Sequence, residues 1–253
     1  MIMDHFTGLE GKGRNKMSDY IIGKNTINEV LKNRKDILIK IITSLNPNNE
    51  FLEEIKKLKI PIEFQSKKAL ENLVNTESHQ NIIAKIKSRN YLELNDLFFK
   101  TKDKKKSIVV MVDSIYDPQN LGSILRACEC FNIDALVYSK NRGTDITPVT
   151  TKAASGATEL LDIVKISNLA STIERFKKEG YWVVSAALDE KSKDINTFEK
   201  FEKLLLVLGS EGEGIQPILL KNSDFLMHIK MMGKIDSLNV SQATAVALFY
   251  FSY

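Results

Sequence analysis

The chain has 253 residues, 43% hydrophobic and 27% charged, with a formal net charge of +4. That suits a soluble globular protein of one or two domains. It holds no apolar run of the roughly 18 residues needed to span a bilayer, and two cysteines, Cys128 and Cys130, cannot build a disulfide framework. The histidines, His5, His79 and His228, share no metal-type spacing with them, so no metal site is expected. The net charge conceals an asymmetry. Residues 1–106 hold 21 Lys/Arg against 14 Asp/Glu, a balance of +7; residues 107–253 hold 15 against 18, a balance of −3. A basic module beside a near-neutral one suggests that the first meets a polyanion and the second does chemistry.

The N-terminus, MIMDHFTGLEGKGRNKM, lacks the apolar core of a secretory leader and carries acidic residues. It reads as a disordered tail over 1–17 or as sequence ahead of a true start at Met17, and a cytoplasmic protein is expected. From residue 18 to 88 short strands and helices alternate. Asp36–Ser44 alternates Ile37, Ile39 and Ile41 with other residues, the period of a strand. Asn49 can cap the next helix, on which Leu52, Ile55 and Leu58 recur at helical spacing. Ile60–Phe64 reads as an edge strand interrupted by Pro61, Ser66–Asn75 as a helix and Asn81–Ile86 as a strand. Residues 89–106 are charged, end in the basic run Lys102–Lys106, and read as a linker.

From 107 to 253 the pattern is that of a larger α/β domain. SIVVMV is continuously apolar, as in a parallel strand covered on both faces. Helix Asn120–Phe131 follows, then strand Ala135–Ser139, helix Asn168–Glu179, and strands Tyr181–Leu188 and Lys203–Gly209. Helix Ile215–Leu220, strand Asp224–Met231 and helix Asn239–Tyr253 complete it. Such alternation predicts a mostly parallel sheet with ligands at the carboxyl ends of its strands.

Three strand-end loops stand out. The first, Asp113-Ser-Ile-Tyr-Asp-Pro-Gln-Asn-Leu-Gly-Ser-Ile-Leu-Arg126, places Asn120 and Arg126 six residues apart where both are expected to face one cleft. The second, Leu208-Gly-Ser-Glu-Gly-Glu-Gly214, lets a ligand approach the backbone closely. It has neither the GxGxxG spacing of a dinucleotide site nor the GK[ST] of a P-loop. The third, Ile229-Lys-Met-Met-Gly-Lys-Ile-Asp-Ser-Leu-Asn-Val-Ser241, flanks Leu238 with Ser237 and Asn239. Taken singly, each has an ordinary structural reading: a helix cap with a surface arginine, a strand-to-helix turn, and a capped C-terminal helix.

Together, in this order and spacing, they resemble the three motifs of the SpoU/TrmH branch of the SPOUT RNA 2′-O-methyltransferases. The resemblance spans Val109–Tyr253. It extends more faintly through Tyr20-Ile-Ile-Gly23 and His79-Gln80 into the first module, which resembles an L30e-like substrate-binding domain. The two-module layout most resembles the subfamily that methylates a guanosine of large-subunit (23S-type) rRNA, rather than tRNA-specific members. The resemblance implies an α/β knot, which departs from the usual rule for chain connections, and a homodimer through the C-terminal helix. It also implies S-adenosyl-L-methionine as cofactor, contacted by Gly209, Ile229 and Leu238. Asn120, Arg126, Glu211, Ser237 and Asn239 would form the catalytic side. Because Arg stays protonated, Arg126 would stabilise an alkoxide or grip a phosphate rather than act as a base. Two positions depart from the family pattern: Lys230 stands where Pro is common, and Asn81 where Gly commonly follows His-Gln. The alternatives are a tRNA 2′-O-methyltransferase, a non-catalytic RNA-binding relative, and a nucleotide-dependent oxidoreductase, against which the missing GxGxxG argues.

Overall fold

The computed structural model describes residues 19–210 and 212–253. The expected tail over 1–17 and the candidate Glu211 lie outside the described residues. The first module contains β1 (Tyr20–Ile22), α1 (Lys24–Asn33), β2 (Leu38–Thr43), α2 (Glu50–Lys57), β3 (Ile62–Phe64), α3 (Lys67–Val74) and β4 (Ile82–Ile86). Its sheet has the order β1-β4-β2-β3, with β2 and β3 parallel and the other pairs antiparallel. Asn49 caps α2 as expected, accepting from the Phe51 amide at 3.1 Å. The alternation read in β2 does not hold, because helices cover both faces of this sheet. Ile41 packs with Leu52 and Ile55 on one face, Ile42 with Leu70 and Val74 on the other, and Ile39 is exposed.

The expected linker over 89–106 contains a helix, α4 (Leu94–Thr101). Leu94, Leu97 and Phe98 on α4 are buried in the core of the second module, and Phe98 meets Phe176 edge-on at 5.0 Å. The helix is amphipathic, with Asp96 and Lys100 exposed on its other side, and the basic run Lys102–Lys106 that suggests a linker follows its end.

The second module runs β5 (Ser107–Val112), α5 (Pro118–Cys130), β6 (Ala135–Ser139), α6 (Pro148–Ala153), β7 (Ile163–Ile166), α7 (Leu169–Lys178), β8 (Trp182–Ala186), β9 (Lys193–Asp194), β10 (Lys203–Leu208), α8 (Pro217–Asn222), β11 (Phe225–His228) and α9 (Val240–Ser252). The strands form one parallel sheet in the order β7-β6-β5-β10-β8-β11-β9. All six residues of β5 are buried, as its unbroken apolar run requires. Helices α5 and α9 cover one face, and α4, α7 and α8 the other. Pro118 occupies the first turn of α5, with Asp117 as its cap accepting from the Gln119 amide at 2.8 Å. The helix therefore begins two residues before Asn120, where proline's fixed φ and missing N–H are both tolerated. Further along α5, a Cβ on Gly122 would lie 2.5 Å from the Thr150 carbonyl oxygen, so glycine lets α6 cross closely.

The modules meet along α6 and the turn that follows it. Thr26 on α1 donates to the Thr151 carbonyl at 3.3 Å, and Arg34 to the Glu159 carbonyl at 2.9 Å. Arg89, on the stretch joining the modules, pairs with the Glu159 carboxylate; their side chains are only 6% and 4% exposed.

Candidate functional site

The three strand-end loops converge where the sequence placed them, at the carboxyl end of the parallel sheet. The second and third loops, with residues 186–188 at the end of β8, enclose a cavity of about 460 Å³, walled by Leu188, Leu208, Ile215, Met227, Ile229 and Leu238, and the first loop lies beside it without lining it. That volume falls within the usual range for a small-molecule site. Three of its lining residues, Gly209, Ile229 and Leu238, are the expected cofactor contacts, and Ser237 also lines it.

Each loop is held by specific bonds. The Asp113 carboxylate at the end of β5 is fully buried. It accepts from the Gln216 amide and side chain, both at 2.8 Å, and from the Ser114 hydroxyl at 2.9 Å. This ties the first loop to the second. Reciprocal main-chain bonds between Ser210 and Gly214, at 3.0 and 3.2 Å, close the glycine-rich turn. A Cβ on Gly209 would sit 2.2 Å from Gly214, so only glycine fits this closure. The Asn239 carboxamide oxygen caps α9, accepting from the Ser241 amide at 2.9 Å and hydroxyl at 2.6 Å. Its nitrogen donates to Asn120 Oδ1 at 3.0 Å. The first and third loops are thereby joined through two of the expected catalytic residues.

Arg126 lies elsewhere. Its side chain is exposed, does not line the cavity, and donates from Nη1 to Ser155 Oγ at 3.4 Å. Six residues on a helix amount to about 600°, so Asn120 and Arg126 stand about 120° apart around α5. Ser237 is exposed, with its hydroxyl 3.4 Å from Asp236.

Two side chains near the site escape the sequence reading. Asp113 appears there only as the start of a loop; its position at the end of a fully buried strand is the signal for a buried anchor. Arg142 follows β6 in a fourth strand-end loop. It donates from Nε to Ser114 Oγ at 3.2 Å and approaches Glu213, on the cavity lining, at 3.6 Å. Outside the site, Asn81 occupies a left-handed conformation, φ 61°, where the family commonly has glycine. Asparagine is among the side chains that tolerate this region.

The cavity fits the expected cofactor. Its apolar walls suit an aromatic base, its loop amides and carbonyls suit polar edges, and the Glu213 and Asp236 carboxylates on the lining favour a cationic sulfonium and ammonium.

Comparison with known proteins agrees with this geometry. Residues 107–249 match the SpoU rRNA Methylase family, and residues 20–92 match the RNA 2′-O ribose methyltransferase substrate binding family. The 23S rRNA (guanosine-2′-O-)-methyltransferase RlmB of Haemophilus ducreyi is 33% identical, covering 92% of this chain and 96% of its own length. RlmB of Photobacterium profundum is 32% identical, with 92% and 96% covered. Among solved structures, the SpoU methyltransferase AviRb of Streptomyces viridochromogenes, in complex with the cofactor AdoMet, superposes with a TM-score of 0.76. It is 16% identical, and 92% of this chain and 88% of that one are covered.

Proposed function

This chain belongs to the SpoU rRNA methylase family, and we propose that it methylates the ribose 2′-hydroxyl of a guanosine in large-subunit rRNA. It is an RNA 2′-O-ribose methyltransferase with S-adenosylmethionine as cofactor. The observation that carries the reading is a cavity enclosed by the second and third motif loops, to which the first is bonded through Asp113–Gln216 and Asn120–Asn239. The RlmB relatives support rRNA guanosine as the target, since they match along nearly their whole length, substrate-binding module included.

The bound cofactor supplies a methyl group on a sulfonium, already a good leaving group. The chain's task is to place the ribose oxygen in line and to stabilise it as its proton leaves. Gly209, Ile229 and Leu238 hold the cofactor, chiefly through main-chain groups and apolar contact. Ser237 and Asn239 orient the ribose, Asn120 completes the polar side, and Glu211 serves it by orienting Arg126 or by holding loop amides. Arg126, standing outside the cavity, contacts RNA rather than cofactor, as a phosphate grip or alkoxide stabiliser. The functional unit is a homodimer through α9, on which Val246 and Phe249 are 40% and 63% exposed, with Tyr253, just past its end, 83% exposed. Their spacing sets them along one side of the helix, an apolar stripe suited to a second copy.

The test pairs two variants. Arg126→Ala should lower single-turnover methylation by roughly 10²–10³ while cofactor affinity by calorimetry is unchanged. Leu238→Arg should abolish cofactor binding by filling the cavity wall with a charged chain. Normal turnover in the first, or normal cofactor affinity in the second, would overturn these assignments.

A further inference from the structure

The opposite end of the parallel sheet carries a second concavity that methyl transfer does not use. It opens at the amino ends of β8 and β10, where Leu204 pairs with Trp182 and Lys203 with Ser107. With β10 rising about 3.3 Å per residue over its six residues, this is about 20 Å from the cofactor loops. The concavity measures about 480 Å³.

Its floor is aromatic and its rim mainly cationic. Trp182, the only tryptophan in the chain, is 50% exposed. Phe225 and Phe201 support the indole, with ring centroids at 5.6 and 6.3 Å. The rim brings together Lys104, Lys105, Lys200 and Lys203 with Glu199 and Glu202. Lys104 is neutralised by Asp134. Lys200 and Lys203 are held by main-chain carbonyls, of Tyr250 and of Lys102 and Glu179, which fix their positions without cancelling their charge. Lys106 lies close enough that its charge, after burial, helps lower the Lys200 pKa. Lys105 is exposed. The basic run noticed in the sequence thus ends beside a half-open indole.

An aromatic platform rimmed by ammonium groups fits single-stranded nucleic acid, whose bases stack while its phosphates meet cations. We propose that this concavity is an RNA contact remote from the methyl-transfer site: an unpaired base stacks on Trp182, and its flanking phosphates meet Lys105, Lys200 and Lys203. The proposal rests on the chain's substrate being RNA and extends the footprint around the end of the sheet.

The single tryptophan makes the test direct. A short single-stranded oligoadenylate, titrated into the full-length chain, should quench Trp182 fluorescence saturably, with affinity falling as salt rises. Trp182→Leu should weaken oligoadenylate binding, read by fluorescence anisotropy of labelled RNA, by roughly tenfold, while Trp182→Phe keeps most of it. Lys105→Glu should weaken binding and flatten the salt dependence. Cofactor affinity should be unchanged in all three, which separates failure of this contact from failure of the methyltransferase reading. Unchanged RNA affinity in Trp182→Leu would overturn the proposal. So would equal quenching by polyglutamate, which would mark the surface as a site for an acidic protein.

Discussion

Replacing Arg89 by alanine should destabilise the whole chain, although Arg89 lies far in sequence from its partner. The Glu159 carboxylate is 4% exposed, and Arg89 is its ion-pair partner. The Thr158 hydroxyl also donates to it, at 3.0 Å, but brings no charge. Removing one member of a buried pair commonly costs about 3–5 kcal/mol, because the other charge stays desolvated. At about 2–4 °C per kcal/mol for a protein of this size, Tm should fall by roughly 10 °C. Arg89→Met with Glu159→Leu removes both charges and should recover most of the loss. Arg34→Ala, which deletes a bond to the Glu159 carbonyl and an exposed pair with Asp36, should cost about 1 kcal/mol. Urea denaturation followed by circular dichroism measures all three. An Arg89→Ala variant within about 0.5 kcal/mol of the parent, or a double variant no better than the single, would refute the view that this pair locks the modules together.

Three further outcomes follow from the geometry. Gly209→Ala should collapse cofactor affinity in calorimetry while the far-ultraviolet spectrum stays native, since the clash is confined to the closure with Gly214. A chain beginning at residue 107 should fail to fold cooperatively. It loses the burial of Leu94, Leu97 and Phe98, worth about 1.5–3 kcal/mol each, a sum comparable with the stability of an average domain; a sharp two-state melt would contradict this. Burial lowers the pKa of the fully buried His79 below its ordinary value. The unfolded chain then binds the proton more readily, so this contribution is complete above about pH 6.5 and is lost as pH falls through the folded value. Tm should decline between pH 7 and 5 more steeply in the parent than in His79→Leu, and identical slopes would remove His79 from the account.

What the sequence made legible follows physical rules that act locally. SIVVMV announces a strand buried on both faces because no polar position interrupts it, and Asn49 and Asn239 announce helix starts because a side-chain oxygen there satisfies free amides. The three loops could be placed at one end of a sheet because every strand in it runs the same way. The misses come from tertiary context. The lysines of residues 100–106 mask the apolar side of α4, so Phe98 reads as part of a linker until the second core is seen. Ile39 and Ile41 suggest a half-buried strand, but whether a sheet is covered once or twice depends on helices distant in sequence. Arg126 shares a motif with Asn120, yet helical geometry turns it away, and the loop bearing Arg142 comes into play only once β6 is placed beside β5.

The central claim is tested most directly by incubating total RNA with the full chain and methyl-labelled S-adenosylmethionine, then mapping the label by partial alkaline hydrolysis, which a 2′-O-methyl group blocks. Label is expected at a ribose 2′-oxygen of a guanosine in large-subunit rRNA and is expected to be lost in Arg126→Ala. Label confined to tRNA would contradict the target, label on a base would contradict the chemistry, and no transfer despite cofactor binding would mark the chain as an RNA-binding relative that has lost catalysis.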